Sequence, residues 1–209
     1  MTNWLERLIG ETQVRLLGLL RRSRHTITSL AEALGLTDNA VRMHIAALHR
    51  DGIVEQVGTQ RDTGGKPARV YGLTRAGEEL FPKAYALVLG KLVEEIVRTQ
   101  GRARAIELLR AVGAQAAAGA RVGSSRNERV EAAAGVFRNL GTDVEVERTA
   151  DGWRLRGYGC PLAAVTSGHV EMCELGKALV EEVVGAEVTE CCTRGEHPRC
   201  GFVVATAAE

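Results

Sequence analysis

Two short amphipathic stretches separated by only a few residues most narrowly limit how this chain can fold. The first, Thr28-Ser29-Leu30-Ala31-Glu32-Ala33-Leu34, takes Thr28 or Ser29 as its N-cap and stops at Gly35. The second runs from Asn39 to Arg50 and sets Val41, Ile45 and Leu48 at i, i+4 and i+7, one face of a helix. Leu36-Thr37-Asp38 forms a tight turn between them, with Thr37 or Asp38 as the second cap. Upstream, residues 3–22 read as a helix through Trp4, Leu5, Leu8, Val14, Leu17 and Leu20, broken at Ser23-Arg24-His25. Downstream, Asp51-Gly52 ends the helical pattern. Ile53 to Gly58 and Ala68 to Leu73 then pair as two strands across a Gly- and Pro-containing connection. Helix, helix, tight turn, helix and a two-stranded wing predict a winged helix-turn-helix over residues 1–75.

The remaining two thirds change character twice. A helix is expected from Arg75 to about Thr99 through Leu80, Ala84, Leu87, Val88, Leu92 and Ile96. Gly101 interrupts it, and a second helix runs from Arg102 to Ala120. Val122-Gly123-Ser124-Ser125 is the linker candidate, with Ser125 capping a helix from Asn127 to Leu140. Beyond Gly141 the period becomes that of strands: Val144 to Glu147, a turn at Asp151-Gly152, then Trp153 to Tyr158. Pro161 opens a helical turn, a helix follows from Ser167 to Val184 with its stop at Gly185, and a hairpin joins Val188–Thr193 to Gly201–Ala205. The expected class is α+β. The winged helix occupies 1–75, dimerisation helices occupy 76–123, and an α+β cysteine-rich sensor domain occupies 124–209.

Composition narrows the function classes. The 209 residues are 45% hydrophobic and 25% charged, enough apolar content for a packed core. The longest apolar stretch, Ala84 to Gly90, is seven residues, against roughly 20 for a bilayer span. The N-terminus shows no basic region followed by an apolar one, so a cytoplasmic protein without a membrane partner is expected. The formal charge of +1 conceals a gradient: +3 over residues 1–72, +2 over 73–120 and −4 over 121–209. A basic first part joined to an acidic last part suits a DNA-binding domain attached to a sensor.

In that frame the second short helix is the recognition helix. With Val41, Ile45 and Leu48 facing the core, Asn39, Arg42, Met43 and His44 are left for the outer N-terminal half, where such helices meet base edges in a major groove about 12 Å wide. Arg42 suits a guanine edge, and Asn39 an adenine or a phosphate. His44 fits helix packing or a phosphate better than a base, and His25 and His49 read as surface residues. The wing carries Arg61, Lys66 and Arg69 for phosphate or minor-groove contact, with Gly64-Gly65 at its tip. The same fold also serves as a protein-interaction module, which is the competing reading. Three stretches carry a resemblance: Leu30-Ala31-Glu32-Ala33-Leu34-Gly35-Leu36-Thr37, Ala40-Val41-Arg42-Met43-His44-Ile45, and Gly65-Lys66-Pro67-Ala68-Arg69-Val70-Tyr71-Gly72-Leu73-Thr74. Together they resemble the winged helix of bacterial ArsR/DeoR-type regulators, which implies binding to double-stranded DNA.

All five cysteines lie between Cys160 and Cys200. In a cytosolic chain such a cluster points to metal binding or thiol chemistry rather than structural disulfides. The gaps are 12 residues from Cys160 to Cys173, 18 to Cys192 and seven to Cys200, with no Cys-x2-Cys pair of the zinc-ribbon kind. Neighbouring strand residues face opposite ways, so Cys191 and Cys192 are not expected to share one site. Cys192, across the hairpin from Cys200, is favoured, with His169 and His197 as possible substitutes. The C-terminal half resembles the SufR-type iron–sulfur regulators, whose Cys-x12-Cys spacing and third cysteine match Cys160, Cys173 and Cys200, while the Cys191-Cys192 doublet departs from them. The resemblance implies a [4Fe–4S] or [2Fe–2S] cluster on those three cysteines, [4Fe–4S] being favoured, and repression of cluster-assembly genes.

The leading expectation is therefore a homodimeric transcriptional regulator, a repressor at an inverted-repeat operator, whose DNA affinity follows the state of its cluster. A winged-helix regulator holding zinc or switching through a disulfide is the second reading, and a small-molecule pocket with incidental cysteines the third. An enzyme is not expected. Glu171, Glu174, Glu181 and Glu182 are helix-face charges without a paired nucleophile, and the glycine-rich phosphate-binding patterns are absent.

Overall fold

The computed structural model describes residues 3–61 and 67–206. It forms two compact units, residues 1–83 and 84–209. It is a mixed helix and sheet protein with antiparallel sheets in both units.

In the first unit, α1 (Asn3–Ile9) and α2 (Glu11–Arg22) replace the single helix expected over 3–22. Gly10, at φ 87°, is the break, a conformation that side-chain-bearing residues avoid. His25–Thr26 form a short strand, β1, that pairs antiparallel with β3 (Ala68–Leu73), so the wing sheet has three strands in the order β1-β3-β2. β2 spans Val54–Gln60. His25 is thus not the plain surface residue expected: its ring is hydrogen-bonded with the Ser23 and Ser29 hydroxyls at 2.9 and 3.2 Å.

The cap of α3 (Ile27–Leu34) is Thr26 rather than Thr28 or Ser29. Thr26 Oγ1 accepts the Ser29 N–H at 3.2 Å and Ser29 Oγ accepts the Thr26 N–H at 3.0 Å, a reciprocal capping box. Gly35 closes α3 in the left-handed region, and Thr37 caps α4 (Asp38–Arg50), its Oγ1 accepting the Ala40 N–H at 3.3 Å. Thr28 Oγ1 donates to Asp38 Oδ2 at 3.1 Å and ties α3 to the start of α4. Leu16, Leu17, Leu30, Val41, Leu48 and Val54, all almost fully buried, form the core that α2, α3, α4 and β2 share. Thr74 Oγ1 caps α5 (Arg75–Glu79) by accepting the Gly77 N–H and donates to the Gly52 carbonyl at 2.7 Å, which anchors the wing's return.

The continuous helix expected from Arg75 to Thr99 does not form. α5 ends at Glu79 and α6 begins only at Tyr85. Pro82 accounts for the gap, because it lacks an N–H and disfavours helical geometry at Phe81. Lys83 Nζ donates to the Glu78 carbonyl at 2.9 Å, beside the Phe81 N–H at 3.3 Å.

The second unit contains α6 (Tyr85–Gln100), α7 (Arg102–Ala116), α8 (Arg126–Asn139), α9 (Ala163–Thr166) and α10 (Met172–Val184). Its antiparallel sheet runs β4 (Val144–Thr149), β5 (Gly152–Gly157), β7 (Gly201–Ala205), β6 (Val188–Glu190). Gly101 separates α6 from α7, and Ser125 caps α8 through a capping box with Glu128, as the sequence suggested. α7 stops at Ala116, short of Ala120, and α10 starts at Met172 rather than Ser167. Gly119, at φ 84°, and the turns at residues 167–171 account for the shorter lengths.

Two apolar clusters hold this unit. Val130, Ala133, Ala134 and Phe137 of α8 and Leu179, Val180 and Val183 of α10 pack with Trp153, Leu155, Phe202 and Val204 of the sheet. Val93 of α6, Leu109 of α7, Val165 of α9 and Met172 of α10 make the other. α7 and α10 touch backbone to backbone at Gly113, where a Cβ would overlap the Leu175 carbonyl oxygen. Arg110 locks that crossing by donating to Glu174 at 2.9 Å and Glu181 at 2.6 Å. Among the described residues no helix is long and apolar enough to cross a membrane.

Candidate metal centre and candidate nucleic-acid face

Four cysteines from four places in the second unit line one cavity of about 200 Å³: Cys160, Cys173, Cys192 and Cys200. Cys160 sits between β5 and α9, with its carbonyl accepting the Ala163 N–H at 3.0 Å. Cys173 lies in the first turn of α10. Cys192 and Cys200 flank the last hairpin, whose register (Glu190 opposite Phe202, Thr193 opposite Arg199) sets them facing each other.

Between those two register points the ladder keeps one bond, from the Cys191 N–H to the Gly201 carbonyl at 2.8 Å. The Gly201 N–H donates to Cys192 Sγ at 3.3 Å, and the Cys192 N–H donates to Glu190 Oε1 at 2.9 Å. The Cys192 sulfur thus takes the place of the Cys191 carbonyl as acceptor for Gly201, and Cys192 lines the cavity. Cys191 stays exposed and does not line the cavity. A Cβ at Gly201 would come within 3.0 Å of Cys191 Sγ and 2.8 Å of its carbonyl oxygen, so glycine is required for this close approach.

The four thiols act on one another's protonation in the order Cys160–Cys200–Cys192–Cys173. The hydrogen bond from Cys200 lowers the Cys160 pKa to about 7 against the opposing effect of burial, helped by the Leu162 N–H and the Thr166 hydroxyl. Cys173 is raised by its hydrogen bond with Cys192 and by burial. At Cys192 the hydrogen bond with Cys173 lowers the pKa, but Cys200 and burial prevail and push it up to about 12. Cys200 is likewise pushed up to about 12, chiefly by Cys160 and by burial.

The thiolate is the reactive form. Metal-free reduced protein should therefore be alkylated first at Cys160 near pH 7, ahead of Cys191, which is exposed but whose pKa is raised by partial desolvation of its sulfur. The fast phase should fade as the pH falls through about 7 and vanish in Cys160→Ser. Peptide mapping of iodoacetamide adducts checks this, and a fast phase that disappears in Cys191→Ser instead contradicts it.

Neither histidine considered as a substitute ligand reaches the cavity lining. His169 lies beside α6, its ring 3.8 Å from a Cβ placed at Gly90, and His197 is exposed. The sequence reading missed Glu190, Arg194 and Arg199. Arg194 and Arg199 line the cavity, and a Glu190 oxygen lies with the Cys173 and Cys192 sulfurs in a group spanning no more than 4.8 Å. The only trace of them in the sequence is that they flank the Cys191-Cys192 doublet and Cys200.

In the first unit, Asn39, Arg42 and Met43 are exposed on α4, Met43 to 70%, while His44 is half-buried. Arg42 and Arg69 of β3 line a common groove of about 550 Å³ with Thr26, Thr28, Pro67 and Tyr71. Arg61 is exposed at the end of the described part of the wing. Lys66 and the glycine pair at the tip lie outside the described residues.

Residues 10–56, covering α2 through α4 and the start of β2, match the family described as bacterial regulatory protein, arsR family. The matched segment is the helix-turn-helix of the first unit, less than a quarter of the chain. No curated protein matches the chain. Among solved structures the chain is similar to a double mutant of ZitR from Lactococcus lactis, at 19% identity over 42% of this chain and 72% of that one, with a TM-score of 0.27. It is also similar to the adhesin competence repressor AdcR of Streptococcus pyogenes, at 23% identity over 51% of this chain and 81% of that one, with a TM-score of 0.30.

Proposed function

We propose that this chain is a DNA-binding transcriptional repressor whose operator affinity is governed by an iron–sulfur cluster held by Cys160, Cys173, Cys192 and Cys200. The observation that carries the reading is the convergence of four thiols from separate elements on one small cavity, in the same chain as an arsR-type helix-turn-helix. The donor set fits the group: soft sulfur ligands favour iron–sulfur clusters and zinc over hard cations. When bound, a cluster supplies an oxygen- and redox-sensitive core. The chain's own residues do the rest. Cys160 and Cys173 bracket α9, whose Val165 packs on Val93 of α6 and Leu109 of α7, so a centre pinning both cysteines fixes how that segment seats on the two helices. The exposed row Tyr85, Val88 and Leu92 on α6 supports pairing of two copies, and a two-fold dimer matches an inverted-repeat operator.

One specific observation favours a second reading, a mononuclear ion such as zinc on Cys173, Glu190 and Cys192, whose donor atoms lie within 4.8 Å of one another. Anaerobically purified protein separates the two readings. A visible chromophore with acid-labile sulfide, and DNA affinity that changes when the chromophore is bleached, supports the cluster. Stoichiometric zinc without sulfide supports the alternative.

DNA contact itself is testable at the groove. Arg42→Ala removes a side chain suited to a base edge and should cost about 1–3 kcal/mol of binding and relax sequence preference. Arg69→Ala should weaken all sequences alike and lower the slope of log affinity against log salt by about 1. Fluorescence anisotropy across a salt series reads both, and unchanged binding in the two variants excludes this face.

A further inference from the structure

The cavity holds two guanidinium groups, Arg194 and Arg199, in different circumstances. Arg194 Nη2 donates to Glu190 Oε2 at 2.7 Å, and the Glu190 side chain is only 19% exposed. Arg194 and Cys173 line the same cavity. Arg194 thus holds one of the three side chains, Cys173, Glu190 and Cys192, that are close enough to share an ion, and shares the cavity with the other two. Arg199 lines the same cavity with no ion pair among the described residues.

We propose that Arg194 is the residue that decides which metal the site accepts. By holding Glu190 and facing Cys173 it disfavours a mononuclear divalent cation on Cys173, Glu190 and Cys192, and leaves sulfur-only ligation by the four cysteines as the favoured state. The inference rests on reading the cysteine cavity as a metal centre. A dication binding to that trio must displace the guanidinium from Glu190, expel two thiol protons to solvent and sit close to a fixed positive charge. Four thiolates around a cluster make no demand on Glu190, which keeps Arg194. Their net negative charge is stabilised by a cation at the rim, and a ligated thiolate still accepts a hydrogen bond.

The test is anaerobic titration of reduced, metal-free protein with cobalt(II), whose thiolate charge-transfer bands report ligation, beside reconstitution with iron and sulfide. Releasing Glu190 in R194Q should tighten cobalt binding about tenfold, the equivalent of one charge-assisted hydrogen bond, and reduce the yield of sulfide-containing chromophore. R194K, which keeps a cation for Glu190, should stay near the unmodified protein. R199Q removes a cavity charge without freeing a ligand and should leave cobalt affinity unchanged, while R194Q combined with E190Q should lose the gain. Equal cobalt affinity in R194Q and the unmodified protein overturns the inference, as does an equal gain in R199Q, which would make charge alone responsible. If no protein develops thiolate–cobalt bands or a chromophore, the metal-centre reading fails and the inference with it.

Discussion

Cys173→Ser is expected to abolish the visible chromophore of anaerobically prepared protein, and Cys160→Ser and Cys200→Ser should do the same. A serine hydroxyl is a poor donor for iron compared with thiolate, and each sulfur comes from a different part of the fold, so no neighbour can take over. Cys160 is placed by the entry to α9, Cys173 by α10 and Cys200 by the strand end before β7. Cys191→Ser is the control, because that side chain is exposed and outside the cavity lining. The measurements are absorbance, iron and acid-labile sulfide per chain, with thermal unfolding to confirm an intact fold. Operator affinity in the three colourless variants should match that of protein whose cluster has been removed. Full colour in Cys173→Ser would end the cluster assignment, and loss of colour in Cys191→Ser would mean that the cavity does not hold the ligands.

The second large effect is on stability. Gly113→Leu should destabilise the second unit by about 1–3 kcal/mol or more, the range for overpacking a close contact. The obstacle is the Leu175 carbonyl oxygen, with the Ala178 methyl 3.2 Å from the same point, so no rotamer change relieves it and α7 must part from α10. Even Gly113→Ala should lose stability, although alanine gains about 1 kcal/mol of helix propensity over glycine. Gly135→Ala isolates that propensity term, since a Cβ there meets nothing within 4 Å, and it should stabilise. Urea unfolding followed by circular dichroism compares the three. Separation of α7 from α10 also breaks the Arg110 bridges to Glu174 and Glu181, the first of which neighbours Cys173. Gly113→Leu is therefore expected to lower metal retention as well, and a fully stable variant would show that the two helices do not meet there.

Local signals carried much of the fold. Gly35 and Gly185 end their helices in the left-handed conformation, Ser125 and Thr37 cap theirs, and Asp151-Gly152 turns the β4–β5 hairpin, because each is settled by a few neighbouring residues. The errors arose where a strong periodic pattern hid a local interruption. The apolar spacing runs through Gly10 and Pro82 and suggests helices longer than the backbone permits. β1 was missed for the opposite reason: two residues have no period, and they pair only because β3 lies alongside.

The sequence by itself determined that this chain begins with a helix-turn-helix and wing, of which residues 10–56 match the arsR family, and carries every cysteine in a separate mixed helix and sheet region, since order, periodicity and caps are properties of neighbours along the chain. Only the tertiary structure decided which thiols share a cavity, that Cys191 is left outside it, and that Glu190 and Arg194 stand beside them. Those relations depend on the register of the last hairpin and on α10 seating against its neighbours, which join residues up to 40 positions apart, from Cys160 to Cys200. No local pattern encodes distances of that kind.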